Sequence, residues 1–275
     1  MRTYAQKKRS ILVRHIVGIV ISILFVLPVL LMVTGSLRQA GSPPPRTPEF
    51  LPDPVSLSNY TRTVELVDMP HYTLNSFKLA VVVVPLSVLF SSLAGFALSR
   101  VSKVVARRLV LISLAALMIP STAFFVGRFV LFSSLGMTDT YWPLVIPAFM
   151  GLNPLFTLLF YWSFRRLPND LFETCLLEGI SLFKAWWKVA MPLVKPTTMA
   201  VGALAFVATW SDFLNPLIYL SSERLFTASL GLRSLATLDM SDQPLFLAGA
   251  VIVTIPALVL FFFAQRYLTQ KDGRV

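Results

Sequence analysis

The chain is poor in the residues that most catalytic and metal-binding sites require. Its 275 residues include one cysteine, Cys175, and two histidines, His15 and His71. A single cysteine excludes an internal disulfide framework and a cysteine metal cluster, and two isolated histidines do not indicate a His-rich metal site. No Gly-rich loop of the Walker type is present, so the sequence does not predict that this chain itself binds and hydrolyses ATP in that way.

Charged residues are also scarce, and this indicates a membrane protein. Only 13% of the residues are charged and 56% are hydrophobic, whereas soluble domains carry about a quarter charged residues. The formal net charge of +11 does not indicate a nucleic-acid partner, because the basic residues cluster in short segments between apolar runs.

Six apolar runs are long enough to cross a bilayer, at about 20 residues for each crossing. They predict an all-α integral membrane protein with six transmembrane helices, at about residues 16–37, 74–98, 109–131, 141–162, 196–220 and 244–264. The first run is too long for a signal peptide and lacks a good cleavage site, so we expect an uncleaved anchor. Pro120 predicts a kink in the third run.

The distribution of basic residues predicts the topology. Residues 1–15, 99–108, 163–195 and 265–275 hold 17 of the 24 lysine and arginine residues. By the positive-inside rule these segments, and therefore both termini, face the cytoplasm.

The apolar runs and the basic segments between them divide the chain into regions. We predict a cytoplasmic N-terminus with the first helix (1–37), an extended, proline-rich external loop (38–72), a transmembrane core (73–268) and a cytoplasmic tail (269–275). The core contains the cytoplasmic loop 163–195, and residues 221–243 form a second external polar loop.

The most informative polar stretch lies in the cytoplasmic loop and spans Leu167–Pro192. Pro168 indicates a helix start, and Glu173 stands three residues after Asp170 as in a capping box. Gly179 indicates the end of this helix, at a position that often requires positive φ.

A second, amphipathic helix is predicted to follow, with Ser181 as its N-cap and Pro192 at its end. Lys184 and Lys188 share one face, four residues apart. The other face is apolar and contains Phe183, Trp186, Trp187, Ala190 and Met191. From the residues alone, this helix either rests on anionic lipid or serves as a cytoplasmic docking element.

The segment resembles the cytoplasmic loop shared by permease subunits of bacterial ABC importers. In that family a Glu precedes two small residues, three further residues and a Gly, and an aliphatic-x-aliphatic-Pro ending follows nine residues later. Glu173, Gly179 and Pro192 match this spacing, whereas Thr174-Cys175 replaces the usual Ala-Ala pair. Other similar stretches are Leu57–Tyr60, Asn75-Ser76, Ala94–Arg100, Leu135–Thr140 and Trp210–Phe213, in which Ser211 replaces the usual Asn.

The resemblance covers nearly the whole chain and is strongest to carbohydrate-uptake permeases similar to the second maltose-transport permease. It implies a type I ABC importer permease fold in the bacterial cytoplasmic membrane. It also implies that the residues coupled to the ATPase are Glu173, Thr174, Cys175, Glu178, Gly179 and Pro192. The implied partners are a second permease, a dimer of ATPase subunits that uses ATP and Mg, and an extracytoplasmic solute-binding protein. The chain itself is expected to bind no cofactor and no metal and not to be an enzyme.

The implied solute is a sugar or related carbohydrate, such as an oligosaccharide, polyol, sulfosugar or glycerol-phosphate compound. Asp212, with Trp210 and Asn215, is the candidate lining of the solute path, because a carboxylate at membrane depth normally faces protein or water. An equally open alternative is that Asp212 fixes the fifth helix against a neighbour by a hydrogen bond.

A secondary transporter or channel that works alone is the alternative function. It would need coupling charges in the spans or an internal repeat, and neither is evident. An enzyme in the membrane would need paired acids or a metal site near one face. The acidic residues in the outer half, which have no convincing partner in the sequence, are Asp139, Asp212, Glu223, Asp239 and Asp242.

Overall fold

The computed structural model describes residues 4–43, 45, 50–151, 153–238 and 242–268. Within these ranges the chain is helical and contains no β-strand, so the predicted all-α class is confirmed. The predicted tail 269–275 and Asp239 lie outside the described residues.

The helices have the following bounds in chain order. They are α1 (Tyr4–Ser36), α2 (Ser58–Leu66), α3 (Met69–Arg100), α4 (Lys103–Leu117), α5 (Phe125–Ser134, after a 3-10 turn at Ser121–Phe124), α6 (Trp142–Phe149), α7 (Pro154–Arg165), α8 (Asn169–Leu177), α9 (Leu182–Leu193), α10 (Lys195–Trp210), α11 (Leu214–Tyr219), α12 (Ala228–Leu238) and α13 (Gln243–Leu268).

Four stretches are long and apolar enough to cross a membrane as they stand. They are Val13–Ser36, Met69–Arg100, Trp142–Arg165 and Gln243–Phe262. Two further pairs of helices qualify only if each is taken as one bent unit: α4 with Ser121–Ser134, bent by 87°, and α9 with α10, bent by 86°. The structure therefore has four candidate spans, or up to six with the bent pairs, and the predicted number of six stays a prediction.

The bend after α4 lies where the sequence predicts a kink. Met118 is the C-cap of α4, and Pro120 precedes the 3-10 turn. Proline lacks the N–H that would continue the helix, which explains the break at this point. The predicted kink in the third apolar run is confirmed.

The described residues fall into two compact units. Unit 1 comprises residues 1–69 and 231–255, and unit 2 comprises residues 70–230 and 256–275.

Unit 1 is organised around the buried carboxylate of Asp242. One oxygen accepts a hydrogen bond from Arg62 Nη1 at 2.6 Å, and the other accepts from the backbone N–H groups of Gly41 and Leu245. The Asn59 side chain also donates to the carbonyl oxygens of Ser36 and Arg38. These bonds fasten the turn after α1 and helix α2 to the start of α13.

The prediction of an extended external loop over residues 38–72 is wrong in part, because this stretch contains α2 and the start of α3. Helix α2 buries Asn59 and Thr63, and both make hydrogen bonds, so tertiary contacts support a helix whose sequence is largely polar. The predicted polar loop 221–243 likewise contains α12.

Unit 2 has an aromatic core where α3, α7, α8, α9 and α10 meet. Phe96 on α3 packs against Phe164 on α7 and Phe172 on α8, with ring centroids 5.4 and 5.6 Å apart. Trp186 on α9 is 1% exposed in the same core. The core therefore fixes the position of the segment Leu167–Pro192.

Candidate functional site

The turn between α8 and α9 is built by its own backbone. Gly179 has a φ of +72° and donates its N–H to the Leu176 carbonyl oxygen, while Ile180 donates to the Cys175 carbonyl oxygen. These two bonds form a Schellman motif, which satisfies the carbonyl groups at the helix end. The predicted helix stop and positive φ at Gly179 are confirmed.

Both α8 and α9 start where the sequence predicts, but only α9 has the predicted side-chain cap. Ser181 Oγ accepts a hydrogen bond from the backbone N–H of Lys184, as predicted for an N-cap. At α8 the N-cap position is Pro168, and no side chain caps the helix, so the predicted capping box of Asp170 and Glu173 is wrong. Asp170 instead lies in the first turn, where a carboxylate still stabilises the helix dipole.

The buried face of α9 differs from the predicted apolar face. Trp186 and Ala190 are buried, but Phe183 and Trp187 are 64% and 58% exposed. Residues Trp186–Ala190 form a π-helical turn. Such a turn shifts the faces of a helix from Trp186 onward, which accounts for the exposure of Trp187 but not for that of Phe183.

Arg100, at the end of α3, holds α8 against two membrane helices. Its guanidinium carbon lies 4.0 Å from the ring centroid of Phe172 and 5.7 Å from that of Phe96. Its Nη2 donates to the carbonyl oxygen of Phe164, near the end of α7. A cation–π contact contributes about 0.5–2 kcal/mol, depending on desolvation. Arg100 therefore links α8 to the ends of α3 and α7.

The predicted coupling residues are mostly brought together at one exposed end. Glu173, Thr174, Glu178 and Gly179 are exposed, and Leu177 between them is 90% exposed. We call residues 173–179 the coupling tip. The tip presents two carboxylates and the apolar side chains of Leu176 and Leu177.

Two of the predicted coupling residues lie apart from the exposed tip surface. Cys175 is buried in the aromatic core. Pro192 is exposed in the last turn of α9.

The candidate residues of the solute path occupy a break between α10 and α11. Asp212 accepts two hydrogen bonds from Asn215, at 2.8 Å from the side-chain nitrogen and 3.3 Å from the backbone. Its backbone carbonyl accepts from Ser229 Oγ. Trp210 is buried and stacks on Phe206 with ring centroids 5.3 Å apart. Asp212 and Asn215 thus form one polar cluster, while a solute contact by any of the three stays a prediction.

Sequence reasoning missed a basic residue beside this cluster. Arg128 on α5 lies close enough to Asp212 for its positive charge to act on the carboxylate. It acts on the Tyr219 hydroxyl in the same way. The residues come from different helices, so no local pattern in the sequence indicates the pairing.

Two sets of side-chain hydrogen bonds that fix polar loops of unit 2, here called clamps, were also not predicted from the sequence. The side chain of Asn75 donates to the carbonyl oxygens of Arg224 and Phe226, and Ser76 Oγ accepts from the Ala228 N–H. From the sequence, the Asn75-Ser76 pair is only a stretch that resembles the importer permeases. In the structure it fixes the backbone before α12.

The second clamp joins the turn at Asp139 to the residues after α11. Asp139 has a φ of +57°, and its carboxylate accepts from the backbone N–H groups of Ser221 and Ser222 and from the Ser222 hydroxyl. The hydroxyl bond first, then the two backbone bonds, lowers the pKa of the Asp139 carboxyl below its ordinary value. The partners of Asp139 are thus two serines, and neither is the paired acid or metal ligand that an enzyme site would need.

Comparisons with known proteins agree with this architecture. Residues 84–271 match the family model described as "Binding-protein-dependent transport system inner membrane component". The chain is 32% identical to the arabinooligosaccharides transport system permease protein AraQ of Halalkalibacterium halodurans over 70% of this chain and 68% of that protein. It is 25% identical to the diacetylchitobiose uptake system permease protein NgcG of Streptomyces coelicolor, over 94% and 86% of the two chains.

A solved structure shows the same fold. It is a bacterial ABC transporter involved in the import of the acidic polysaccharide alginate, with a TM-score of 0.76, 20% identity, and coverage of 98% of this chain and 99% of that chain. The matched region of the family model contains the coupling tip, its aromatic anchors and the break at Asp212. This chain therefore belongs to the family of inner-membrane components of binding-protein-dependent transport systems.

Proposed function

We propose that the chain is the permease subunit of an importer that moves a sugar or related carbohydrate across the cytoplasmic membrane by alternating access, driven by a separate ATPase. The family supports transport that depends on a binding protein. The names of the relatives AraQ and NgcG support a saccharide as solute. The range proposed from the sequence, which also includes polyols, sulfosugars and glycerol-phosphate compounds, stays open.

The observation that carries this proposal is the way the coupling tip is built. The tip is exposed, its turn is fixed by a Schellman motif, and Phe172 and Trp186 anchor it in the aromatic core. Arg100 joins it to the ends of α3 and α7. A protein that binds the tip can therefore move the transmembrane helices without contacting them.

The proposed partners follow from this arrangement. A dimer of ATPase subunits, with its own ATP and Mg, binds the coupling tip, and Glu173 and Glu178 complement a basic surface on it. A second permease completes the pathway, and an extracytoplasmic binding protein delivers the solute. Asp212, Asn215 and Trp210 are the proposed residues at the solute path. The ATPase site belongs to the partner, since this chain has no loop of the Walker type.

The first prediction tests the tip through Gly179. Because this residue has a φ of +72° and open space around it, strain comes from the backbone alone. Gly179→Val should destabilise the turn by about 1–2 kcal/mol, whereas Gly179→Asn should be mild because Asn tolerates this conformation. We expect the Val variant to reach the membrane but to retain less ATPase on purification and to lose most solute-stimulated ATP hydrolysis in vesicles.

The Asn variant is the matched control and should keep both properties. Retention of the ATPase and full stimulation by Gly179→Val and by Glu173→Lys would show that the segment only rests on lipid. Loss of both properties in the Asn variant as well would show that the glycine matters for something other than its backbone conformation.

A further inference from the structure

A second polar feature of unit 2 is formed by residues other than those of the coupling tip and of the break at Asp212. It is an open cleft of about 380 Å³ between α4 and α7, which pack against each other. The lining residues are Lys103, Arg107, Val110, Leu111, Tyr161, Trp162 and Arg165. None of them is acidic, so the cleft carries three positive charges and no compensating carboxylate of its own.

The polarity of the cleft changes along the axes of α4 and α7. Lys103 and Arg107 lie in the first two turns of α4, and Arg165 is the last residue of α7. All three therefore lie at the same end of the helix pair. Leu111 and Trp162, further along the two helices, are 55% and 44% exposed. One end of the cleft is cationic and the rest is apolar and aromatic.

The dipole of α4 also favours an anion at the cationic end of the cleft. The N-terminus of a helix carries a partial positive charge, which disfavours cations in the first turn. Yet α4 begins with Lys103 and has no acidic residue in its first turn. A phosphate placed there would neutralise both the side chains and the helix end.

We propose that this cleft binds the phosphate headgroup of an anionic phospholipid, with an acyl chain along Leu111 and Trp162. Basic pockets between transmembrane helices are suited to such headgroups, and the apolar half gives a lipid an advantage over a free phosphate. The proposal is independent of the solute and of the ATPase.

The test uses the full chain, with the subunits that co-purify with it, in vesicles of equal amounts of phosphatidylglycerol and phosphatidylcholine. After extraction into detergent, native mass spectrometry counts the lipids that stay bound. We expect phosphatidylglycerol to be retained in preference to phosphatidylcholine by at least about fivefold. The double substitution Arg107→Gln with Arg165→Gln should abolish this preference.

The matched control is Arg108→Gln with Arg166→Gln. These exposed arginines are the next residues along the chain but do not line the cleft, so the net charge and the membrane face are the same. An equal loss in both double variants would show only a general attraction of basic residues to the bilayer and would overturn the site. If the wild type retains the two lipids equally, the lipid site is also overturned. This is the result expected if a neighbouring subunit covers the cleft.

Two further measurements do not depend on the folding of the double variants. Phosphatidylglycerol brominated on its acyl chain should quench the tryptophan fluorescence of the wild type more than that of Trp162→Phe. Glycerol 3-phosphate at millimolar concentration should not displace the lipid. Equal quenching, or displacement by the soluble phosphate, would contradict a lipid site, and displacement would assign the cleft to a small phosphate compound.

Discussion

At Gly95, α3 lies close to the backbone of α7. A Cβ atom at this position would lie 2.6 Å from Phe160 Cβ, 2.8 Å from the Thr157 carbonyl oxygen and 2.9 Å from the Tyr161 nitrogen. Two of these three atoms are backbone and cannot rotate away. The glycine therefore sets the distance between two helices that anchor the coupling tip.

The second prediction follows from this packing. Gly95→Ala should destabilise the fold by about 1–3 kcal/mol, because the added methyl group forces the two helices apart. Gly127→Ala is the control, since Gly127 is helical and has open space where the methyl group would lie. Thermal unfolding of the detergent-solubilised variants measures the difference. Equal midpoints for the two variants would contradict a close crossing at Gly95.

The role of Asp212 depends on its hydrogen bonds to Asn215. Its carboxylate accepts from the backbone and side chain of Asn215 at the start of α11. The third prediction is that Asp212→Leu, which removes a capping acceptor, costs about 0.5–2 kcal/mol and assembles or transports poorly. Asp212→Asn keeps an acceptor and should do better. Full transport by both variants would show that neither the charge nor the hydrogen bonds are needed.

At the scale of the element, hydrogen bonds join the turn at Asp139 to the residues after α11. The carboxylate holds both Ser221 and Ser222, and the Asp139 N–H donates to the Tyr219 carbonyl oxygen at 2.7 Å. A carboxylate that accepts several hydrogen bonds is stabilised in its charged form. The clamp is therefore strongest when Asp139 is ionised.

The fourth prediction is the pH dependence of this clamp. The pKa of Asp139 is lowered in the folded state, so its contribution to stability is present above the unfolded pKa of about 3.9. It is lost as the pH falls below that value and through the folded pKa. The stability difference between wild type and Asp139→Asn should thus be constant above about pH 5 and shrink towards pH 3.

The control for this titration is Glu223→Gln, which removes an exposed carboxylate one residue beyond Ser222. The measurement is the midpoint of thermal unfolding in detergent at each pH. A difference that does not change with pH would show that the ionisation of Asp139 does not contribute to the clamp.

These elements also show how far local patterns predict structure. The stop at Gly179 and the cap at Ser181 were predictable, because the residues that form each turn lie within a few positions of one another. The clamp of Asp139 and Ser222 joins residues 83 positions apart, and Asp242 joins Arg62 across 180 positions. Such bonds depend on the fold, so the sequence shows the carboxylates without their partners.

Helices outside the apolar runs were missed for a related reason. α2 lies in a polar, proline-rich stretch that indicates a loop, whereas α12, with four leucines among its 11 residues, lies in a stretch whose two ends are polar. In α2 it is the buried hydrogen bonds of Asn59 that stabilise the helix. Tertiary contacts of this kind override the propensity of a short segment.

At the scale of the whole molecule, the distribution of charge predicts which ends of the helices face the cytoplasm. The coupling tip and the basic cleft lie in segments that the positive-inside rule places on that side. The loop around Glu223 lies in a segment with few basic residues, which the same rule places outside. The proposal for the coupling tip depends on this orientation.

The last prediction tests the orientation with two exposed glutamates of unit 2, Glu178 at the coupling tip and Glu223 after α11. In a Cys175→Ala background, each is replaced singly by Cys, and whole cells are labelled with an impermeant maleimide. Glu223→Cys should react in intact cells, whereas Glu178→Cys should react only after permeabilisation, because a charged reagent does not cross the bilayer. The two sites share residue type and exposure, so reactivity reports the side of the membrane. Reaction of Glu178→Cys in intact cells would place the tip outside and would remove it from the reach of a cytoplasmic ATPase.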